Sequence, residues 1–195
     1  MIQTMITANK TISSGTRTAR VERSLARALA VVVFAALTAI GAKLAVPLPG
    51  TAVPLTLQVF AVLLSGIALG PRLGASSQLL YLGAGIAGLP VFMAGGGLAY
   101  LLGPTGGYLL AFPIAAAIVG WAAGRYGGVL PMIAGAVLGV AFIHLSGMSW
   151  LATLGGGSAA FRVGVLPFLP GDVLKVALAV LVGGRLRARL RGALG

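Results

Sequence analysis

Between Arg72 and Arg125 the chain carries no charged side chain. A helix made of that whole stretch would be about 78 Å long, far beyond the ~30 Å hydrocarbon core of a bilayer. It must therefore fold back on itself, and with so few polar groups it must do so inside a membrane. Composition agrees: 58% of residues are hydrophobic and 8% charged, against about a quarter charged in soluble domains. The fold class is all-α, a polytopic membrane protein. The net charge of +12 does not point to nucleic acid, because the arginines sit at the ends of apolar segments, as membrane topology requires. With no cysteine, disulfides and thiolate chemistry are excluded.

Six apolar segments are expected, over about 25–46, 55–70, 73–88, 108–124, 128–146 and 170–186. Residues 1–24 are polar and basic and read as a disordered or interfacial cytoplasmic tail. Residues 25–190 form the six-helix transmembrane substrate-binding domain, and 191–195 a short cytoplasmic end. A basic tail ahead of an apolar run also resembles a signal peptide, a reading set aside because many more apolar segments follow. Six crossings put both termini on one side. If that side is the cytoplasm, only Lys43, Arg162 and Lys175 of the fourteen lysines and arginines lie toward the other, as the positive-inside rule demands. The cytoplasmic turns are then short and the three external connections long. Irregular backbone at a membrane lines a cavity or is covered by protein, so a cavity opening outward is expected.

The stretch Leu166-Pro167-Phe168-Leu169-Pro170-Gly171-Asp172-Val173-Leu174-Lys175 carries the sharpest chemical signal. Pro170 and Gly171 stop a loop and start a helix. Asp172 falls in the first helical turn, where unpaired N–H groups favour a carboxylate. Lys175, at i+3, shares its face. The chain has two acidic residues, and the other, Glu22, lies in the tail. An ion pair at the edge of an apolar segment is read as a functional site, here one that holds a small polar ligand.

Other motifs carry two readings each. Gly83-Ala84-Gly85-Ile86-Ala87-Gly88 fits a dinucleotide-binding pattern, but it lies inside an apolar segment with no preceding strand and reads as helix packing. Gly66/Gly70, Gly120/Gly124 and Gly135/Gly139 are small-residue packing pairs as well. Ala35 and Ala39 form another, serving either packing within the bundle or docking of a second membrane protein. Gly103-Pro104-Thr105-Gly106-Gly107-Tyr108 either grips a ligand atom with its hydroxyl and N–H groups or is a turn with an interfacial tyrosine. Gln58 bonds a ligand or a neighbouring backbone. Trp150 is an interfacial belt aromatic or a stacking wall. His144 has no carboxylate near it in sequence and is read as a hydrogen-bonded core histidine.

Together, Pro54-Leu55-Thr56-Leu57-Gln58, Gly88-Leu89-Pro90-Val91-Phe92, Leu102-Gly103-Pro104-Thr105-Gly106-Gly107-Tyr108 and Phe168 to Lys175 resemble the BioY family, the biotin-binding membrane subunits of energy-coupling factor transporters. The motifs stand in family order and at family spacing from about Ala35 to about Ala177. The resemblance implies a six-helix bundle in the bacterial cytoplasmic membrane that captures biotin from outside. It implies a transmembrane coupling subunit and two ATP-binding cassette subunits as partners. By the same resemblance the ligand is held by Asp172 and Lys175, with Gln58, Thr105, Gly106 and Tyr108 around them, and Ala35 and Ala39 dock the coupling subunit; Trp150 joins the site on its stacking-wall reading. One departure stands out: Met93-Ala94-Gly95-Gly96-Gly97-Leu98 is wholly apolar where the family often has Asn or Ser between glycines, and is a residue shorter.

An enzyme would need a carboxylate cluster, metal ligands or a nucleophile–base pair, and the sequence offers none. No metal or cofactor is expected. No P-loop is present, so any use of ATP comes from partners. The alternative function is a solitary or ion-coupled secondary transporter of biotin or another small vitamin, which would ordinarily carry more intramembrane carboxylates.

Overall fold

The computed structural model describes residues 2–125 and 128–194. Helix α1 (Ile2–Lys43) runs straight through the basic tail. The disordered reading of 1–24 thus meets a helix instead, in a stretch that holds no proline and a single glycine, Gly15. Its last turn carries Lys43, a cation where the helix exposes its carbonyls. The proline-bearing loop that follows is a small hairpin. Strand β1 (Ala45–Val46) pairs antiparallel with β2 (Leu55–Thr56), Ala45 opposite Thr56 and Val46 opposite Leu55.

Helix α2 (Gln58–Ile86) is interrupted at Gly70, whose φ of 81° leaves the helical region just before Pro71. In an unbroken helix Gln58 and Tyr81 would lie about 34 Å apart. Here the Gln58 amide donates to the Tyr81 hydroxyl at 2.7 Å, so the two arms fold back against each other. The expected second and third segments are these arms, turned at Gly70-Pro71-Arg72.

A polar cluster locks the hairpin to α1. Gln78 Nε2 donates to Ser65 Oγ (3.2 Å) and Ser77 Oγ (3.1 Å). The Thr38 hydroxyl of α1 is shared between the Phe34 carbonyl and Gln78 Oε1. All four side chains are fully buried, and buried polar groups of this kind are tolerated because each is bonded.

The loop after α2 bridges Phe92 to Gly95 and returns to the helix through the Gly97 N–H on the Gly85 carbonyl at 2.7 Å. It holds a single short turn, α3 (Leu98–Leu101). Then come α4 (Gly106–Arg125) and α5 (Val129–Leu151), the latter longer than the segment expected to end near Ser146. The connection to the last helix is not extended chain. It is a π turn (Ala152–Gly156), a 3₁₀ turn (Gly157–Ala159) and α6 (Ala160–Gly164). Helix α7 (Leu169–Leu194) continues through the arginine-rich end, where helix-favouring Arg and Leu alternate, and the Leu194 carbonyl accepts from Arg27 Nε.

Among the described residues four helices are long and apolar enough to cross a membrane: Arg20–Lys43, Gln58–Ile86, Gly106–Arg125 and Val129–Gly155. The bent pair Gly157–Gly164 and Leu169–Leu194 makes a fifth. Large apolar side chains remain outside, among them Leu29, Val32 and Ile40 on α1 and Leu178 and Leu181 on α7, as lipid contact permits. The molecule is a mostly helical, multi-pass membrane protein.

Inside, α4 is the axis. Gly66 of α2 abuts the Ala116 carbonyl and Val119 of α4, and Gly135 and Gly139 of α5 abut Ala122 and Val119. The small-residue pairs thus bring three helices within backbone reach, which is how helices associate in lipid. Ala35 is buried in the main cluster with Val62, Tyr81, Tyr108 and Phe112, and Ala39 packs partly against it. Ala35 thus packs within the chain's own bundle, while Ala39 keeps part of its surface exposed.

Candidate functional site

The first turn of α7 is set by the Asp172 N–H on the Phe168 carbonyl at 2.9 Å. This points Asp172 and Lys175 inward, and both are about 95% buried. Lys175 Nζ lies 2.9 Å from Asp172 Oδ1, and His144 Nε2 of α5 lies 2.6 Å from Asp172 Oδ2. The aspartate is therefore the centre of a three-residue cluster, held between an ammonium and an imidazole. A buried charge persists only when paired in this way. A carboxylate paired with an ammonium accepts only, so Nε2 carries the imidazole hydrogen and donates it.

The cluster closes one end of a cavity of about 50 Å³ as it stands, room for a few waters. Its walls are mostly apolar: Val53 from the hairpin loop, Phe92, Leu109 and Phe112, Ile143 and Phe168. Its polar lining is Thr56, Gln58, Tyr100, Thr105, Tyr108, His144, Asp172 and Lys175. Few polar anchors in an apolar wall is the usual make-up of a small-molecule site.

Each side chain has an identifiable support. Gln58 accepts from the Thr56 hydroxyl at 3.2 Å while its amide holds Tyr81. Tyr108 donates to the Gly164 carbonyl at 2.7 Å and meets His144 edge-on, ring centres 6.3 Å apart. Phe168 is the other ring contact of His144, with centres 6.0 Å apart. Glycines make room: a Cβ on Gly147 would overlap the Tyr108 ring, and one on Gly85 would overlap Phe92.

Of the residues expected at the site, Gln58, Thr105, Tyr108, Asp172 and Lys175 line one cavity. Gly106 and Trp150 stand behind the wall. A Cβ on Gly106 would strike the Leu101 carbonyl, and the Trp150 indole donates to the Gly103 carbonyl at 2.9 Å. With the Ser146 hydroxyl on the Gly107 carbonyl, Trp150 fastens the start of α4 to α5. The sequence reading set His144 aside, yet it is in the cluster. The rule that singled out Asp172, an ionisable group inside an apolar segment, applies equally to His144.

Lys43 also lies outside the sequence expectations. Its ammonium donates to the Phe92 carbonyl at 2.7 Å and reaches that of Met93 at 3.4 Å, pinning the apolar loop over the cavity to the end of α1. Any ligand larger than the present space must move a wall, and Lys43 is the side chain that ties this loop to α1. Lys43→Met is expected to weaken ligand binding about three- to ten-fold through faster dissociation, the value of one hydrogen bond. Stopped-flow dissociation of bound ligand checks this, and an unchanged off-rate would show that Lys43 has no part in retaining it.

Comparison with known proteins places the chain in a family. The BioY family model matches residues 11–192. The chain is 46% identical over 132 residues to the probable biotin transporter BioY of Pyrococcus horikoshii, covering 67% of this chain and 77% of that protein. It is 39% identical over 117 residues to the biotin transporter BioY of Thermotoga maritima, covering 60% and 68%. Its fold resembles the 2.1 Å crystal structure of the S-component for biotin from an ECF-type ABC transporter, with a TM-score of 0.79, 28% identity, and coverage of 85% of this chain and 92% of that one. By its sequence and by its fold, the chain belongs to the BioY family.

Proposed function

We propose that this protein is the biotin-capturing S component of an energy-coupling factor importer. The observation that carries the proposal is the buried Asp172–Lys175–His144 cluster at the end of an apolar, aromatic-lined cavity. Biotin offers a ureido carbonyl, two ureido N–H groups, a thioether ring and a carboxylate. Lys175 has ammonium hydrogens left to donate to the carbonyl or carboxylate, Asp172 has lone pairs left to accept an N–H, and Phe92, Phe112 and Phe168 cover the ring. Gln58, Thr105 and Tyr108 complete the contacts, while Gly106 and Trp150 act by holding the loop.

In this reading the two arms of α2 count as separate crossings, giving six with both termini in the cytoplasm. Residues 25–190 are the substrate-binding domain, and the connections between β1 and β2, α2 and α4, and α5 and α7 face outward. The chain has no nucleotide motif of its own. Uptake against a gradient draws on a transmembrane coupling subunit and two ATP-binding cassette subunits in the cytoplasmic membrane.

Purified protein is expected to bind biotin at one site per chain without ATP. Isothermal titration together with retention of labelled biotin tests this. Folded protein that shows neither heat nor retention overturns the reading.

A further inference from the structure

The histidine of the cluster has a second nitrogen that no described residue bonds. Among the described residues two buried side-chain polar atoms lack a partner, His144 Nδ1 and Arg187 Nε. Arg187 is at the far end of α7, where its other nitrogen donates to the Ile67 carbonyl. His144 lines the cavity. With Nε2–H donating to Asp172 at 2.6 Å, Nδ1 of that tautomer is a lone-pair acceptor. Tyr108 and Phe168 contact the ring and fix its plane, so rotation cannot bring Nδ1 to another partner without displacing them. A buried acceptor left unpaired is costly, and native proteins keep one where something outside the chain satisfies it.

We infer that His144 Nδ1 is a specificity-determining acceptor that reads one ring N–H of the ligand. Asp172 acts on it as a positioning residue, fixing the tautomer and the ring plane. This rests on the biotin reading above and deepens it. Each oxygen of Asp172 already accepts one protein donor and keeps one lone pair, whereas Nδ1 accepts none, so the imidazole offers a wholly vacant acceptor beside the carboxylate. The ligand class that follows is a cyclic urea or lactam, with an N–H at the point where a carbamate or lactone would present an oxygen. An oxygen there would set one lone pair against another.

The test uses the full chain in detergent or nanodiscs, with biotin and the two cyclic-carbamate analogues in which one or the other ureido N–H is replaced by oxygen. Wild-type protein should bind one of the two analogues about ten-fold or more weakly than biotin, the value of a hydrogen bond to a buried acceptor. In His144→Leu, biotin itself should bind about ten-fold more weakly, and the gap between biotin and that analogue should shrink to within about three-fold. If both gaps persist unchanged in the variant, His144 serves only to hold Asp172 and the assignment is wrong. A second measurement covers a variant that does not fold. In wild-type protein labelled with ¹⁵N-histidine, the Nδ1 resonance of the chain's one histidine should move on adding biotin and stay put on adding the discriminated analogue. An Nδ1 signal indifferent to biotin overturns the inference. Failure of wild-type protein to bind biotin overturns the functional reading itself.

Discussion

Asp172→Asn and Lys175→Met are each expected to weaken biotin binding by about ten- to hundred-fold, the range for hydrogen bonds to charged groups. The cluster geometry also sets what happens to the fold. Asp172 accepts from Lys175 at 2.9 Å and from His144 at 2.6 Å, with all three residues buried. Removing the carboxylate leaves an ammonium in an apolar wall without a counter-charge, and breaking a buried pair in this way costs about 3–5 kcal/mol. Asp172→Ala should therefore destabilise more than Lys175→Met, because it takes the acceptor from two partners whereas Lys175→Met takes one donor from Asp172. The double variant should recover part of that loss, since no buried charge is left stranded. Thermal unfolding with biotin titration on both single variants and the double separates ligand binding from fold maintenance. Unchanged affinity in well-folded Asp172→Asn and Lys175→Met proteins would remove this pair from the site.

Gly147→Leu is expected to abolish measurable biotin binding and to lower thermal stability, although Gly147 itself offers no group to the ligand. The Tyr108 ring occupies the space a side chain at 147 would need. That ring ties α4 to α6 through the Gly164 carbonyl and packs edge-on against His144. Forcing side-chain atoms into a filled interior costs about 1–3 kcal/mol or more. Here the strain must be relieved by parting α4 from α5 or by turning Tyr108 out, and either moves His144. Gly83→Ala is the control: nothing lies within 4 Å of a Cβ there, and alanine suits a helix better than glycine by about 1 kcal/mol. Equal binding losses at 83 and 147 would mean that glycine as such, not the Tyr108 contact, is what the site requires.

How much of this could be read beforehand depends on sequence distance. Asp172 and Lys175 are three residues apart on one helix face, so local rules suffice to pair them. His144 joins the same carboxylate from 28 residues away, through the packing of α5 on α7, which no local pattern encodes. Trp150 is similar: its partner is the Gly103 carbonyl, and an indole on a distant backbone atom cannot be told from a membrane-belt indole by composition. Apolar runs located the helices well, since burial in lipid leaves little else. Their ends were harder. The arginines after Leu186 marked a membrane boundary, yet α7 continues to Leu194, because leaving the bilayer does not oblige a helix to stop. The fold-back of α2 falls between the expected segments 55–70 and 73–88, where Gly70, with φ = 81°, stands before Pro71.

The cluster around Gln78 bears on how the molecule can move. Ser65, Ser77 and Thr38 each have a carbonyl of their own helix to fall back on, those of Val62, Gly74 and Phe34. Gln78 has no such reserve. Its amide is filled only when α1 and both arms of α2 stand at one mutual depth, and a slip of one residue rise, about 1.5 Å, would strand it where no water can substitute. It works as an index pin. The first helix and the hairpin are thereby keyed into one rigid half, and whatever give the protein needs to admit a guest must come from the other half and the tethers that cross to it.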